Sequence, residues 1–334
     1  CTFVEICYSI SINLKLLWKS MESLNLVLCS DNNFVIPTLT AIDSILRHNA
    51  ESFFAVFIVT TGFSQKNIET IDFFSKQRKN QAKIEIITAN DDILKDCPIK
   101  KGDHVSIAAY LRILLPSILP KNINKILYLD GDIICVSSLL DFYNVDISTK
   151  SCSAIRDERN NDEEIFYRLK YPKDCGYFNS GVILINLDYW RKNDIQNKTL
   201  NYIVSNKEKC LWHDQDALNV TLAGTVDFAD FRYNLAQGFL FDKKQLKIDT
   251  KYYPKIDCAI KYPCLIHYCA TYKPWHIECN SPFKKLWRQS YKKTFGKNCR
   301  LQFKNKGAAR IKWCIKLILN TLNIKKYADF RKME

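Results

Sequence analysis

The stretch Lys125-Ile-Leu-Tyr-Leu-Asp130-Gly-Asp132 is a short apolar strand that carries two carboxylates, one residue apart, at its carboxyl end. Gly131 lets the backbone turn where the strand ends, so Asp130 and Asp132 can converge on one cation. Carboxylate oxygens suit Mg²⁺ or Mn²⁺, which keep open positions for the oxygens of a substrate phosphate. Asp-Gly-Asp is also ordinary turn chemistry, so a surface turn is the alternative for this stretch taken alone.

Strand-like and helical segments alternate on both sides of this stretch. The predicted strands are Leu24–Cys29, Phe53–Thr60, Lys83–Thr88, Ile126–Asp130 and Gly181–Leu187. The predicted helices are Phe34–Leu46, Gln65–Arg78, Val105–Leu115, Asn197–Asn206 and Asp214–Leu222. This alternation predicts an α/β fold, a mainly parallel sheet with helices on both faces. Ligands of such sheets bind outside the carboxyl ends of the strands, so we expect the loop at residues 30–33 and the loop at residues 130–132 to line one crevice.

Composition excludes several classes of protein. The chain contains neither a Gly-x-Gly-x-x-Gly nor a Walker motif, which argues against dinucleotide oxidoreductases and P-loop enzymes. With nine glycines in total, phosphates would have to be neutralised by a metal ion and by cationic side chains. The fourteen cysteines are scattered without a Cys-x-x-Cys pair, so we expect reduced thiols in a cytosol and no structural zinc.

The amino-terminal segment differs from the rest of the chain. Met21 stands close before the first predicted strand, so residues 1–21 are treated as an extension and Met21 as a candidate native start. The longest uncharged run, Ile6–Leu14, falls short of the roughly 18 residues that a membrane-spanning helix needs, and no cleavage signature follows it. We therefore expect no signal peptide, no spanning segment and a cytoplasmic location.

The basic excess is concentrated at the carboxyl end, because residues 297–334 carry +9 of the net charge of +14. Apolar residues recur there at helical spacing, at Ile311, Cys314, Ile315, Ile318 and Leu322. Basic residues occupy other faces or follow the helix, at Arg310, Lys312, Lys316, Lys325, Lys326, Arg331 and Lys332. This pattern suits a helix on an anionic membrane surface, or equally a helix packed on the protein's own core. No nucleic-acid partner is expected, since no recognisable binding module accompanies the charge.

Four further polar segments could share a site with the carboxylate pair. They are Tyr110-Leu-Arg112, Cys175-Gly-Tyr-Phe-Asn179-Ser-Gly181, Trp212-His-Asp214-Gln215-Asp216 and His267-Tyr-Cys-Ala-Thr-Tyr-Lys273-Pro-Trp275. Each one alone has a structural explanation, namely a helix cap, a packed loop or a core histidine. Five such clusters in a fixed order around an α/β sheet favour a common site.

Together these segments resemble glycosyltransferase family 8. The resemblance rests on Asp130-Gly-Asp132, Phe178-Asn-Ser-Gly-Val-Ile-Leu-Ile-Asn186 with Trp190, Asp214-Gln-Asp216 and His267-Tyr-x-x-x-x-Lys-Pro-Trp275, and it covers roughly residues 24–290. This retaining GT-A family contains bacterial lipooligosaccharide galactosyl- and glucosyltransferases and the glycogenins. The resemblance implies a GT-A domain over residues 22–290, followed by a basic amphipathic, membrane-associating tail over residues 291–334.

The resemblance also implies the reaction. The donor would be UDP-galactose or UDP-glucose, the metal Mn²⁺ with Mg²⁺ as the alternative, and the acceptor a glycan or glycolipid such as lipopolysaccharide core. The enzyme would then lie on the inner face of the cytoplasmic membrane. Two alternatives stay open: a glycogenin-like or self-glycosylating transferase, and a non-catalytic scaffold that binds sugar nucleotides or membranes.

Individual roles carry over by position from the same resemblance. Asp130, Asp132 and His267 are implied as metal ligands. Gln215, beneath the anomeric carbon, and Asp214 are implied as catalytic residues. The implied donor-binding residues are Ser30, Asp31, Asn33, Arg112, Asp130, Gly131, Asp132, Asp157, Asn179, Ala270 and Lys273. Among them, Asp31 and Asn33 match positions near uracil and ribose, and Lys273 matches a contact to the diphosphate.

Overall fold

The computed structural model describes residues 23–98, 107–321 and Phe330. At its centre is a seven-stranded sheet with the strand order β3-β2-β1-β4-β7-β6-β8. Its strands are β1 Leu24–Cys29, β2 Phe54–Thr60, β3 Ala82–Thr88, β4 Lys125–Leu129, β6 Cys152–Arg156, β7 Phe178–Asn186 and β8 Val226–Phe228. All neighbouring strands pair in parallel except β7, which runs antiparallel to β4 and β6. The predicted mainly parallel α/β sheet is confirmed.

A smaller sheet extends the carboxyl ends of the central strands. It contains β5 Ile133–Cys135, β9 Leu235–Ala236 and β10 Leu265–His267, in the order β5-β10-β9. Strand β5 starts directly after Asp132, and its antiparallel pairing with β10 places Ile133 opposite His267. This pairing brings two segments that are distant in sequence to the same edge of the fold.

Helices cover both faces of the central sheet. They are α1 Val35–His48, α2 Gln65–Arg78, α3 Leu115–Ile118, α4 Leu140–Tyr143, α5 Glu163–Leu169, α6 Leu187–Lys192, α7 Ile195–Ser205, α8 His213–Thr221, α9 Tyr253–Lys261, α10 Lys284–Phe295 and α11 Gly307–Thr321. Alternate strand residues point to opposite faces, so Leu26 and Leu28 join the core under α1 and α2. Val27 and Cys29 join the core under α6, α7 and α8.

Two predicted elements differ from the structure in type or by more than a residue or two at one end. The strand predicted at Gly181–Leu187 begins earlier, at Phe178, because Phe178 and Asn179 still pair with β6 across a register shift. The helix predicted at Val105–Leu115 is instead a 3₁₀ helix over Ile107–Leu114, followed by the short α3. Val105 itself lies outside the described residues.

The carboxyl-terminal helices have different environments. The predicted domain boundary at residue 290 lies within helix α10. This helix packs on α1, where Thr294 Oγ1 donates to Asp43 Oδ2 at 2.9 Å. In α11, Trp313 is buried, whereas Ile311, Ile315 and Ile318 are 63%, 52% and 57% exposed. The predicted tail residues Leu322, Lys325, Lys326, Arg331 and Lys332 lie outside the described residues, as do residues 1–22 with Met21. Across residues 23–98 and 107–321, no helix is both long and apolar enough to cross a membrane.

Candidate active site

A cleft of about 630 Å³ opens at the carboxyl ends of β1 and β4. All but one of the residues predicted for the site line it: Ser30, Asp31, Arg112, Asp130, Gly131, Asp132, Asp157, Asn179, Asp214, Gln215, His267, Ala270 and Lys273. Asn33 does not line the cleft. It is exposed, and its backbone N–H donates to Asp31 Oδ1 at 2.8 Å in the tight turn after β1.

Two carboxylates and one imidazole converge in this cleft. His267 Nε2 lies 3.3 Å from Asp132 Oδ1 and 3.8 Å from Asp130 Oδ2. One ligand atom from each of the three residues falls within 4.8 Å of the others. Such a set of oxygen and nitrogen donors fits a divalent cation.

Glycines make room for this cluster. A Cβ at Gly131 would lie 2.6 Å from Thr38 Oγ1 on α1, and Gly131 does not have a positive φ. The glycine is therefore needed for close packing against α1 rather than for an unusual turn, which corrects the reason expected from the sequence. A Cβ at Gly181 would overlap the His267 ring and lie 2.7 Å from Asp130 Oδ2, so β7 must carry a glycine beneath the cluster.

A chain of amide hydrogen bonds fixes the His267 tautomer. Asn179 Nδ2 donates to Asp157 Oδ2 at 3.2 Å, which leaves Asn179 Oδ1 to accept from Asn234 Nδ2 at 3.0 Å. Asn234 Oδ1 then faces His267 Nδ1 at 3.0 Å. Because Asn234 Oδ1 can only accept, Nδ1 of His267 carries the proton.

The consequence concerns the other ring nitrogen. In a neutral His267 with Nδ1 protonated, the Nε2 lone pair points toward Asp130 and Asp132. A lone pair facing two carboxylates is unfavourable unless a positive charge lies among them. Both the donor atoms of the cluster and the hydrogen bonds around it therefore fit a bound divalent cation.

Lys273 supplies one positive charge at this cluster. Its Nζ lies 2.6 Å from Asp132 Oδ2 and donates to the Tyr268 carbonyl at 2.8 Å. Burial would raise the pKa of Asp132, but the charge of Lys273 opposes burial, and that pKa lies well below its ordinary value. Asp132 is therefore ionised and ready to bind a cation.

Arg112 joins the metal cluster to the floor of the cleft. Its guanidinium is buried, lies 3.0 Å from Asp130 Oδ1 and 3.1 Å from Asp214 Oδ2, and stacks on the Tyr128 ring. Burial raises the pKa of Asp214, and the charge of Arg112 opposes that shift. Arg112 thus contacts the carboxylates of both Asp130 and Asp214.

Gln215 is held at both ends of its amide. Its Oε1 accepts from the Ser180 N–H at 3.0 Å, and its Nε2 donates to Asp157 Oδ2 at 3.3 Å. Helix α8, which starts at His213, carries Asp214 and Gln215 in its first turn, and the Ser180 hydroxyl donates to Asp214 at 3.1 Å. Gln215 and Asp214, implied by the resemblance as catalytic residues, therefore belong to one hydrogen-bonded network with Ser180 and Asp157.

No role was predicted from the sequence for several lining residues. They include Tyr128, Glu158, Arg159, Trp212, Gln237 and Phe241. Arg159 lies 3.6 Å above the half-exposed Trp212 ring, and its Nε is 3.2 Å from Asp157 Oδ1. Asn234, which orients His267, is the last residue of a short 3₁₀ helix, Phe231–Asn234, directly before β9, and no motif in the sequence marks it.

Comparison with known proteins assigns the chain to a family. The model of glycosyl transferase family 8 matches residues 25–279, which is most of the chain. The chain belongs to glycosyltransferase family 8. This family 8 enzyme is 28% identical over 272 residues to the lipopolysaccharide 1,2-glucosyltransferase of Escherichia coli K12, covering 81% of this chain and 78% of that one.

The family 8 enzyme is also similar to a second lipopolysaccharide transferase and to a solved structure. It is 24% identical over 289 residues to the lipopolysaccharide 1,3-galactosyltransferase of Salmonella typhimurium, covering 84% of this chain and 81% of that one. The crystal structure of the galactosyltransferase LgtC with donor and acceptor sugar analogues superposes with a TM-score of 0.71 at 22% identity. That superposition covers 87% of this chain and 100% of LgtC, and it shows the shared GT-A fold.

Proposed function

We propose that this glycosyltransferase moves glucose or galactose from a UDP-sugar to a glycan acceptor with retention of the anomeric configuration. The observation that carries the proposal is the convergence of Asp130, Asp132 and His267 beside Lys273, in a cleft that also holds Asp214 and Gln215. Relatives that transfer glucose or galactose to lipopolysaccharide support a hexose donor and, as acceptor, lipopolysaccharide core or a related glycolipid.

Asp130, Asp132 and His267 would hold Mn²⁺, or Mg²⁺ in its place. A bound divalent cation supplies charge neutralisation to the diphosphate that leaves the sugar. Lys273 lies at the same cluster, and its ammonium stabilises the negative charge that develops on the leaving group. Stabilisation of this kind accelerates transfer because the charge is greater in the transition state than in the bound donor.

The bond changes take place on one face of the sugar. The bond between the anomeric carbon and the phosphate oxygen breaks, and a bond to the acceptor oxygen forms on the same face. The acceptor proton passes to the departing phosphate oxygen, so atoms and charge balance. Gln215 is a poor nucleophile whose amide is bonded to Ser180 and Asp157, which favours an electrostatic role for it over a covalent one.

UDP release tests the donor assignment. The protein is incubated with Mn²⁺ and UDP-glucose, UDP-galactose or their N-acetylated forms, and released UDP is measured with and without a lipopolysaccharide-core acceptor. We expect release from one of the two unsubstituted hexose donors, stimulated by the acceptor. Equal inactivity toward all four donors would contradict the proposal. A mass increase of the protein with the donor alone would instead identify self-glycosylation.

We also propose that α11 attaches the enzyme to an anionic membrane surface, at the inner face of the cytoplasmic membrane. Exposed Ile311, Ile315 and Ile318 on a basic helix support this, because apolar side chains left in solvent gain free energy by entering the lipid interface. Replacing all three with Ser should abolish sedimentation with vesicles that contain phosphatidylglycerol while donor hydrolysis is kept. If the variant still sediments with these vesicles like the wild type, α11 has a structural role only.

A further inference from the structure

Two oxygen atoms in the cleft are buried without a hydrogen-bond partner among the described residues. They are Oε2 of Glu158 and Oε1 of Gln237. Both side chains line the same cleft as Asp157 and His267. Buried polar atoms in folded proteins are normally paired, because an unpaired one has lost its hydrogen bonds to water without replacing them. An orphaned pair in a binding cleft therefore indicates atoms that a ligand satisfies.

The Glu158 carboxyl packs against the backbone of Gly238, the residue that follows Gln237. A Cβ at Gly238 would overlap the Glu158 carboxyl and lie 2.6 Å from its Cγ. Gln237 directly precedes Gly238 and follows β9, where Ala236 pairs with His267. Glu158 and Gln237 therefore form one wall, built from the segments after β6 and β9. Within the described residues, this wall shares no hydrogen bond with Arg112, Asp130 or Asp214.

The chemistry of this wall differs from that of the rest of the cleft. Asp157 bonds Asn179 and Gln215 through one oxygen and Arg159 through the other, whereas Glu158 has no ion pair with a described residue. Burial and the charge of neighbouring Asp157 raise the pKa of Glu158 to about 7. A carboxyl without a cation would repel a diphosphate, so this wall is unsuited to the nucleotide end of the donor.

We propose that Glu158 and Gln237 form a subsite for the acceptor, in which their orphaned oxygens accept hydrogen bonds from hydroxyl groups of its terminal sugar. This inference rests on the proposed transferase function and narrows the class of acceptor to glycans with a neutral terminal sugar. Gln237 Oε1 can only accept, and Glu158 Oε2 accepts when its carboxyl is ionised, so the ligand must donate, and hydroxyl groups of a neutral sugar do so. An acceptor sugar that carries a carboxylate would meet the Glu158 carboxyl and is disfavoured. The half-exposed Trp212 ring, stacked on Arg159, borders the same cleft and offers an apolar surface to a sugar.

The test uses acceptor analogues of known charge. UDP release from the preferred UDP-hexose is measured with Mn²⁺ while methyl β-glucoside, methyl β-galactoside or methyl β-glucuronide is added at increasing concentration. Wild-type enzyme, Glu158→Leu, Glu158→Gln and Gln237→Leu are compared. Glu208→Leu is the matched control, because Glu208 is exposed and does not line the cleft.

We expect a neutral glycoside to stimulate the wild-type enzyme and the glucuronide to stimulate it less. Glu158→Leu and Gln237→Leu should raise the KM for the neutral glycoside roughly tenfold, as expected for the loss of a buried hydrogen bond to a ligand, with a smaller effect on kcat. Glu158→Gln should improve stimulation by the glucuronide, because it removes the repelling charge. The Glu208→Leu enzyme should behave as wild type.

Three results would overturn the inference: an unchanged glycoside KM in both Leu variants, stronger stimulation of wild-type enzyme by the glucuronide than by the neutral sugars, or no stimulation by any glycoside. Failure of the proposed function is distinguishable from these. In that case the wild-type enzyme would neither release UDP from any hexose donor nor bind UDP with Mn²⁺, whatever glycoside is present.

Discussion

Lys273 Nζ lies 2.6 Å from Oδ2 of Asp132, across 141 positions of sequence. The same carboxylate lies 3.3 Å from His267 Nε2 through its other oxygen. Asp132 is therefore shared between a cationic side chain and the candidate metal position. Lys273 consequently has two opposing effects, since it competes with a metal ion for Asp132 but attracts the diphosphate of the donor.

Replacing Lys273 with Met should separate these two effects. Binding of Mn²⁺ alone should become tighter, because a positive charge is removed beside the carboxylates. Binding of UDP in the presence of Mn²⁺ should weaken roughly tenfold, because a charged hydrogen-bond donor is lost. Titration calorimetry measures both, with Lys255→Met at an exposed position on α9 as the control. Changes of both affinities in the same direction would contradict the shared role.

Asn234 should act as a positioning residue for His267. In Asn234→Leu, Asn179 Oδ1 loses the donor Asn234 Nδ2 and His267 Nδ1 loses its acceptor, so the imidazole loses its fixed tautomer. We expect Mn²⁺ affinity to fall by roughly 10- to 100-fold, the usual effect of removing such an outer partner. Asn234→Asp keeps the acceptor for Nδ1 and should retain more affinity. Electron paramagnetic resonance of free Mn²⁺ measures this, and equal affinities in Leu and Asp variants would rule out the proposed positioning.

Asp43 should stabilise the fold without taking part in the reaction. It is fully buried and pairs with Arg47 at 2.8 Å and Arg78 at 2.6 Å, and it accepts from Thr294 on α10. Asp43→Asn should lower the free energy of unfolding by about 3 kcal/mol, because both arginines lose their buried partner. Asp72→Asn, which breaks only the exposed pair with Lys76, should cost less than about 0.5 kcal/mol. Urea unfolding compares them, and equal losses would refute the assignment.

Glu158 should make stability depend on pH. Its pKa in the folded protein, about 7, lies above the ordinary value of 4.5, so folding favours the protonated form. That contribution is complete below the ordinary pKa and is lost as the pH rises through about 7. Asp157, Arg159 and His267 also act on this carboxyl, and all three are kept in the variant.

Glu158→Gln carries no charge at any pH, so it should be more stable than the wild type at about pH 8, by about 2 kcal/mol. At about pH 4 the difference should be close to zero. Thermal unfolding at both pH values measures the effect. A constant difference between the two proteins across this range would show that Glu158 is not a buried, destabilised carboxylate at neutral pH.

Local patterns predicted five of the seven strands of the central sheet, all except β6 and β8, and the motifs quoted from the sequence contain most of the predicted residues that line the cleft. The apolar run before Asp130 predicts β4, and the helix Gln65–Arg78 has the predicted bounds, because Ser64 caps it and its apolar spacing is regular. His267 and Lys273 lie within one short segment, so the family motif identifies both. Such residues can be recognised because the residues next to them in the sequence form a motif.

Residues whose roles depend on contacts distant in sequence were not found. Asn234 orients His267 only because β9 and β10 pair in the small sheet. Glu158 and Gln237 form one wall because Glu158 packs against Gly238, the residue after Gln237. No sequence pattern connects Glu158 with that segment. Gly131 was singled out, but the close approach of Thr38 that requires it is a property of the packed helix α1. Tertiary packing, which no local pattern encodes, determines these positions.

The central claim is that Asp130, Asp132 and His267 bind a divalent cation that is needed for UDP binding. Titration calorimetry of UDP into the wild-type enzyme, with and without Mn²⁺, tests it most directly, with Asp132→Ala as the comparison. We predict tight binding of UDP with Mn²⁺, much weaker binding without it, and no effect of Mn²⁺ in Asp132→Ala. UDP binding of equal strength in the presence and absence of Mn²⁺ would contradict the claim.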